Sequence, residues 1–201
     1  MQRQITFRQY RSMDLFLFSV LLCISEVLIV LGTNCWFQGA DYTLSLSCAV
    51  AAIVMVRWGA FAASPVAAGS LAFCLVSALT IAGGIWWQQW VIYLIGSQAG
   101  LIMLLFLKKW GWQKMKQNSL TAIAYGLLTA LAMQAGRMIV SMILGNSPGV
   151  SLGFITTDIL STLFAALLAW IASRLDGLLE EQKHYLLRIQ KEQEEAKQNG
   201  F

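Results

Sequence analysis

The sequence predicts an all-α polytopic membrane protein: six transmembrane helices, then a cytoplasmic amphipathic helix at the C-terminus. Three observations carry this. Of 201 residues, 58% are hydrophobic and only 12% charged, against about 25% charged in an ordinary soluble domain. Mean hydropathy is +0.64. The apolar residues gather in runs long enough to cross a bilayer, and those runs are apolar on most faces rather than on one stripe.

The first span is expected from residue 12 to 32–35, behind Arg3, Arg8 and Arg11. It is too long for the apolar core of a signal peptide, and no small-x-small cleavage site follows, so it is read as retained. A short second span, 44–56, ends at Arg57. The third follows Pro65, at 66–82, and Gly59 and Pro65 mark a tight turn between the two. The fourth, fifth and sixth are expected at 90–107, 120–144 and 150–175. Residues 1–175 then form one bundle and 176–201 a separate, charged tail. In the tail Leu175, Leu178, Leu179, Tyr185, Leu186 and Ile189 recur at helical spacing among Glu, Lys and Gln. This predicts that span six continues as a cytoplasmic helix of about 30 Å, at roughly 1.5 Å per residue.

Loop charge sets the expected orientation. Arg3, Arg8 and Arg11 before span one, Arg57 between spans two and three, Lys108, Lys109, Lys114 and Lys116 between spans four and five, and Arg174 at the end of span six fall in alternate connections, all on one side. The loops around 38–42, 83–89 and 145–149 contain no Lys or Arg. The bias places both termini in the cytoplasm of a plasma membrane. The net charge of +4 is therefore a matter of topology and implies no nucleic-acid partner.

Small residues recur at four-residue spacing. They are Gly96 and Gly100 in span four, Ala122, Gly126 and Ala130 followed by Gly136 in span five, and Ser161, Ala165, Ala169 and Ser173 in span six. Such stripes let helices approach closely in lipid, within the bundle or against another membrane protein.

Function is sought in the polar residues inside the spans. A charge at bilayer depth costs about 2.5–3.5 kcal/mol on insertion scales, so it faces the bundle interior or a wet cavity. Counted from the outer ends of their spans, Glu26, Gln98, Arg137 and Asp158 all lie roughly 10–13 Å deep at 1.5 Å per residue. Gln134, Thr156 and Thr157 fall near the same level. Coplanar polar groups from four spans point to an outward-opening binding cavity. The plainer alternative is an Arg137–Asp158 ion pair that locks spans five and six. Glu26 then shares Arg137, is neutral, or faces water or a ligand. Trp86 and Trp87 sit at the expected mouth, either as interfacial belt residues or as a cap over a flat organic solute.

The four cysteines have no CxxC spacing. Three read as small apolar side chains, and the spacing leaves room for a Cys35–Cys48 bridge across the first external loop. There is no phosphate-binding glycine loop, no HExxH, no GxSxG and no Cys/His cluster. His184 is expected to be solvated. No cofactor is implied, and nothing argues for an enzyme.

Size, six-span topology, short Gly/Ala-rich middle spans and polar residues in the outer halves together resemble the substrate-binding S component of energy-coupling factor transporters. The stretch from Thr157-Asp158-Ile159-Leu160-Ser161 through Arg174-Leu175-Asp176-Gly177 is similar in style to such bacterial proteins. The resemblance implies capture of a vitamin-like micronutrient near the outer face, and partnership with a membrane scaffold subunit and two ATPases. Glu26, Gln98, Gln134, Arg137 and Asp158 would line the site, with Trp86 and Trp87 near its mouth. The family's first span carries an AxxxA-type docking pair. Here Ser19 and Cys23 alone have that spacing, so no docking residues are carried over. Two other readings stand beside this one. The chain could be a structural subunit of a bacterial membrane complex whose tail recruits a partner, or a self-contained transporter using proton binding at Glu26. Six spans without a visible inverted repeat weigh against the last.

Overall fold

The computed structural model describes residues 7–36, 44–80, 85–175, 177–182, 185–188 and 191. Every regular element among them is helical: α1 (Phe7–Trp36), α2 (Ser47–Trp58), α3 (Ala63–Thr80), α4 (Trp87–Val91), α5 (Met103–Gln117), α6 (Ser119–Ile143), α7 (Pro148–Thr156) and α8 (Ile159–Arg174). Five stretches are long and apolar enough to cross a membrane: Phe7–Cys35, Ser47–Thr80, Trp87–Gly111, Ser119–Ile143 and Pro148–Arg174. Leucines, isoleucines and phenylalanines cover their outward faces (Phe16, Leu79, Ile143 and others), as a lipid-facing surface requires.

The Ser47–Thr80 stretch is not one straight rod. Gly59, at φ +62°, ends α2, and the 3₁₀ turn Gly59–Ala62 feeds α3. A Cβ on Gly69 of α3 would lie 3.3 Å from Ser47 Oγ at the start of α2. That neighbourhood requires α3 to run back alongside α2. The tight turn expected at Gly59 is present. α3 runs parallel to α1: Arg11 stacks on Phe61, and Cys23 Sγ donates to the Ala68 carbonyl at 3.5 Å. We call the end holding the starts of α1, α3 and α6 the lower end. The upper end holds the starts of α2, α4 and α7.

α6 is the hub, flanked by α8, α2 and the helix that follows α4. The small-residue stripes pack inside the bundle. A Cβ on Gly136 would meet Ala99 Cβ and the Gly96 carbonyl oxygen, both at 2.3 Å, and one on Gly126 would meet the Ala165 carbonyl oxygen at 2.6 Å. Glycine is required there because the neighbouring backbone occupies the space. Tyr125, fully buried in α6, donates its hydroxyl to the Ala52 carbonyl of α2 at 3.1 Å.

Three sequence expectations are corrected. The fourth span is not a uniform α-helix: it passes from α4 through a π-helical turn at Ile92–Gly96 and a 3₁₀ segment at Ser97–Ile102 into α5. The sixth is interrupted at Thr157–Asp158, between α7 and α8. Nor does it run on straight into the tail. Leu175 is extended and Gly177 takes φ +76°, so the chain turns under the bundle and buries Leu179, Glu180 and Gln182. The helical state returns at 185–188. His184 and Ile189 lie outside the described residues. The cysteines are free; Cys35 is exposed and Cys48 is buried in α2, so the bridge allowed by their spacing is not formed.

Candidate functional site

Two interruptions of regular backbone and one helix start meet at one level of the upper half: the π-to-3₁₀ transition at Gly96–Ser97, the α7–α8 break at Asp158, and the start of α2. Each delivers polar groups to the space beside α6.

Glu26 is fully buried on α1. Its Oε1 accepts from Ser45 Oγ (2.6 Å), the Leu46 amide (3.0 Å), the Ser47 amide (3.1 Å) and Ser47 Oγ (3.0 Å). A carboxylate from a neighbouring helix thus caps α2, satisfying amides that have no acceptor within their own helix and meeting the positive end of its dipole. The cap is tied across the bundle, because the Ser45 amide donates to Ser161 Oγ of α8 at 2.9 Å.

Arg137 on α6 is 2% exposed, too buried for water to serve its five donors. Nη1 donates to Asp158 Oδ2 at 2.8 Å and Nε to Ser97 Oγ at 2.9 Å. The guanidinium carbon stands 4.8 Å from the Tyr93 ring centroid, a cation–π arrangement. Tyr93 in turn packs on Phe73 and Phe154. Asp158 lies at the N-terminus of α8, where the helix dipole favours its negative charge. One turn below Arg137, Gln134 Nε2 donates to the Asp158 carbonyl (2.9 Å) and to Thr162 Oγ1 (2.7 Å).

The structure therefore brings Glu26, Gln134, Arg137 and Asp158 into one buried layer. Gln98 is not part of it, because its amide turns toward the Ala63 carbonyl at 3.4 Å. Trp86 and Trp87 stand 76% and 63% exposed at the start of α4. Thr156 and Thr157 bond back to the Gly153 carbonyl within α7. Sequence reasoning missed Tyr93, Ser97, Ser45, Ser47 and Thr162. Tyr93 and Ser97 lie one helical turn apart at the level of Arg137, a signal available from depth alone.

Ser45, Ser47, Ser70, Phe73, Tyr93, Arg137 and Asp158 surround a cavity of about 10 Å³, the space of a single water. That is far below the roughly 300–1,000 Å³ of a small-molecule pocket. Two acceptors in the layer, Glu26 Oε2 and Gln134 Oε1, are buried without a hydrogen-bond partner among the described residues. Such orphan acceptors are costly to keep and call for an explanation: a proton, a water or a ligand. Comparison with protein families, curated proteins and solved structures finds no match to this chain.

Proposed function

We propose that this chain is the micronutrient-binding membrane subunit of an energy-coupling factor type importer, crossing a bacterial plasma membrane six times with both termini in the cytoplasm. The observation that carries the reading is the coincidence of two backbone interruptions and the start of α2 with a buried polar layer containing orphan acceptors. Irregular backbone at membrane depth is tolerated where it is buried or lines a cavity, and broken helices at a polar midsection are a recurrent substrate-site device. The antiparallel run of α2 and α3 supports counting Ser47–Thr80 as two passes. The upper end, free of Lys and Arg among its loops, is then the outer face.

In this reading Arg137 and Asp158 neutralise each other, and Glu26 is the carboxylate left over. An amine-bearing or cationic solute suits it. Entry requires the Ser45–Ser47 segment to withdraw from Glu26 and enlarge the cavity. The ATP is consumed by partner subunits.

A second reading has its own observation. A layer with room for one water, in which Arg137 answers Asp158 and Glu26 is spent capping α2, is what a structural subunit of a membrane complex needs. The two readings part in one experiment. Small molecules released from gently purified, denatured protein are measured by mass spectrometry, for wild type, Arg137→Ala and Glu26→Gln. The importer reading expects one compound near stoichiometric amount in wild type, diminished in both variants. A wild-type protein that carries nothing, and binds no amine-bearing solute added back, overturns it and leaves the structural reading.

A further inference from the structure

A hollow far larger than the one at the polar layer lies elsewhere among the described residues. It is an open groove of about 630 Å³ at the lower end, between the start of α1, the α2–α3 turn and α5. Its walls are apolar: Trp58 and Phe61 on one side, Leu104 and Leu105 on the other. Phe61 and Leu105 are 49% and 68% exposed, so the groove opens on the surface that the apolar spans turn to lipid.

The rim is charged. Arg11, Arg57, Lys108 and Glu181 all line the groove. Arg57 is already held by Asp14 and the Gly177 carbonyl. Arg11 lies over the Phe61 ring, its guanidinium carbon 4.0 Å from the centroid, and no carboxylate among the described residues forms an ion pair with it or with Lys108. Two cations against the single carboxylate Glu181 leave the rim positive.

We propose that this groove binds an anionic phospholipid of the adjacent leaflet, an acyl chain lying along Phe61 and Leu105 and the phosphate between Arg11 and Lys108. The chemistry is complementary at both ends. The apolar walls match a hydrocarbon chain, and the excess positive charge sits where a headgroup would lie, among the Lys and Arg that mark this end of the bundle. Stacking on Phe61 restricts Arg11, so less freedom is lost when a phosphate is bound.

The test uses the whole chain in bilayers of equimolar phosphatidylglycerol and phosphatidylcholine. The protein is withdrawn in mild detergent and its retained lipid counted by mass spectrometry. Wild type is expected to retain phosphatidylglycerol in preference. A cation near a membrane surface is worth about fivefold in anionic-lipid binding, so Arg11→Gln with Lys108→Gln should cut the preference on the order of 20-fold. Lys108 is exposed, so Lys108→Gln alone should leave the fold intact and cut the preference about fivefold. Lys109→Gln, a neighbouring exposed cation outside the groove, should leave it unchanged. An unaltered preference in Lys108→Gln overturns the proposal. So does an equal loss in Lys109→Gln, which would mean diffuse surface charge, and so does an absence of preference in wild type.

Discussion

Among the described residues, two arginine–carboxylate pairs stand inside the bundle, a largely buried one near the lower end and a fully buried one near the upper, and they are built differently. At the lower end Arg57 and Asp14 form a two-pronged pair, Nε to Oδ2 and Nη2 to Oδ1, both at 3.0 Å. Asp14 also accepts from the Trp58 indole. The Gly177 carbonyl takes Arg57 Nη1 at 2.8 Å and Gln182 Nε2 at 2.9 Å, and Tyr10 reaches Gln182 Oε1 at 3.3 Å. Each of these groups serves α1, α2 or the tail, and both Asp14 oxygens are used. At the upper end Arg137 Nη1 meets Asp158 Oδ2 at 2.8 Å, and the neighbouring Glu26 and Gln134 each keep an orphan oxygen among the described residues. A network with its acceptors filled behaves as a brace. Glu180 Oε2, in the tail under the bundle, is an orphan as well, but its carboxylate pairs with the half-exposed Arg188 at 3.2 Å; the upper layer keeps its orphans beside a fully buried ion pair, which is why the functional reading rests there.

The largest test of that contrast is Arg137→Ala. It strands the Asp158 carboxylate in a layer shut off from water, and a cost of about 3–5 kcal/mol is expected, as for other broken buried pairs. Thermal unfolding in detergent micelles measures it. An Arg137→Met, Asp158→Leu double variant should recover most of the loss, because both charges leave together. If the single variant melts like wild type, the layer is wetter than its geometry implies and the comparison fails.

Asp14→Ala should cost less, about 1.5–3 kcal/mol, the range for hydrogen bonds to charged groups. Arg57 keeps the Gly177 carbonyl and lies nearer water. Limited proteolysis should also find the tail more readily cut, since Arg57 fastens residue 177. A drop in melting temperature without faster tail cleavage would separate the pair from the tail.

Gly136→Ala probes the close approach beneath the upper layer. Its Cβ meets backbone at the Gly96 carbonyl, which cannot rotate away, so about 1–3 kcal/mol is expected from overpacking. The added displacement of Arg137 from Ser97 should reduce solute retention beyond what stability explains. The smallest effect belongs to Glu26→Gln. The side-chain carbonyl still accepts from the four donors at the start of α2, and the orphan position loses nothing, so melting should change by less than about 1 kcal/mol. Solute retention should fall nonetheless, and a variant with both properties unchanged removes Glu26 from the site.

Much of the architecture was legible. Continuous apolar runs mark the spans because lipid admits little else, and Gly59 marked the α2–α3 turn through its chain geometry. Depth counting found Glu26, Gln134, Arg137 and Asp158, because a helix rises by a constant amount per residue. The same counting selected Gln98, which the structure does not bring into that layer. Depth says nothing of azimuth, and Gln98 is turned toward Ala63. The tail misled for a related reason: Leu175, Leu178 and Leu179 keep helical spacing, but Gly177 and the pull of Arg57 on its carbonyl turn the chain.

By itself the sequence determined that the chain is helical, that it carries apolar stretches long enough to cross a membrane, and the level at which charge is buried. All three follow from local composition and a fixed rise per residue. Only the tertiary structure decided which oxygen each donor meets. It assigned Glu26 to the start of α2, gave Arg137 both Ser97 and Tyr93 through a π-to-3₁₀ change in the Trp87–Gly111 stretch, and closed the cavity to the size of one water. Those outcomes depend on helix rotation and on close approach at Gly96 and Gly136, which arise only when helices distant in the chain pack together.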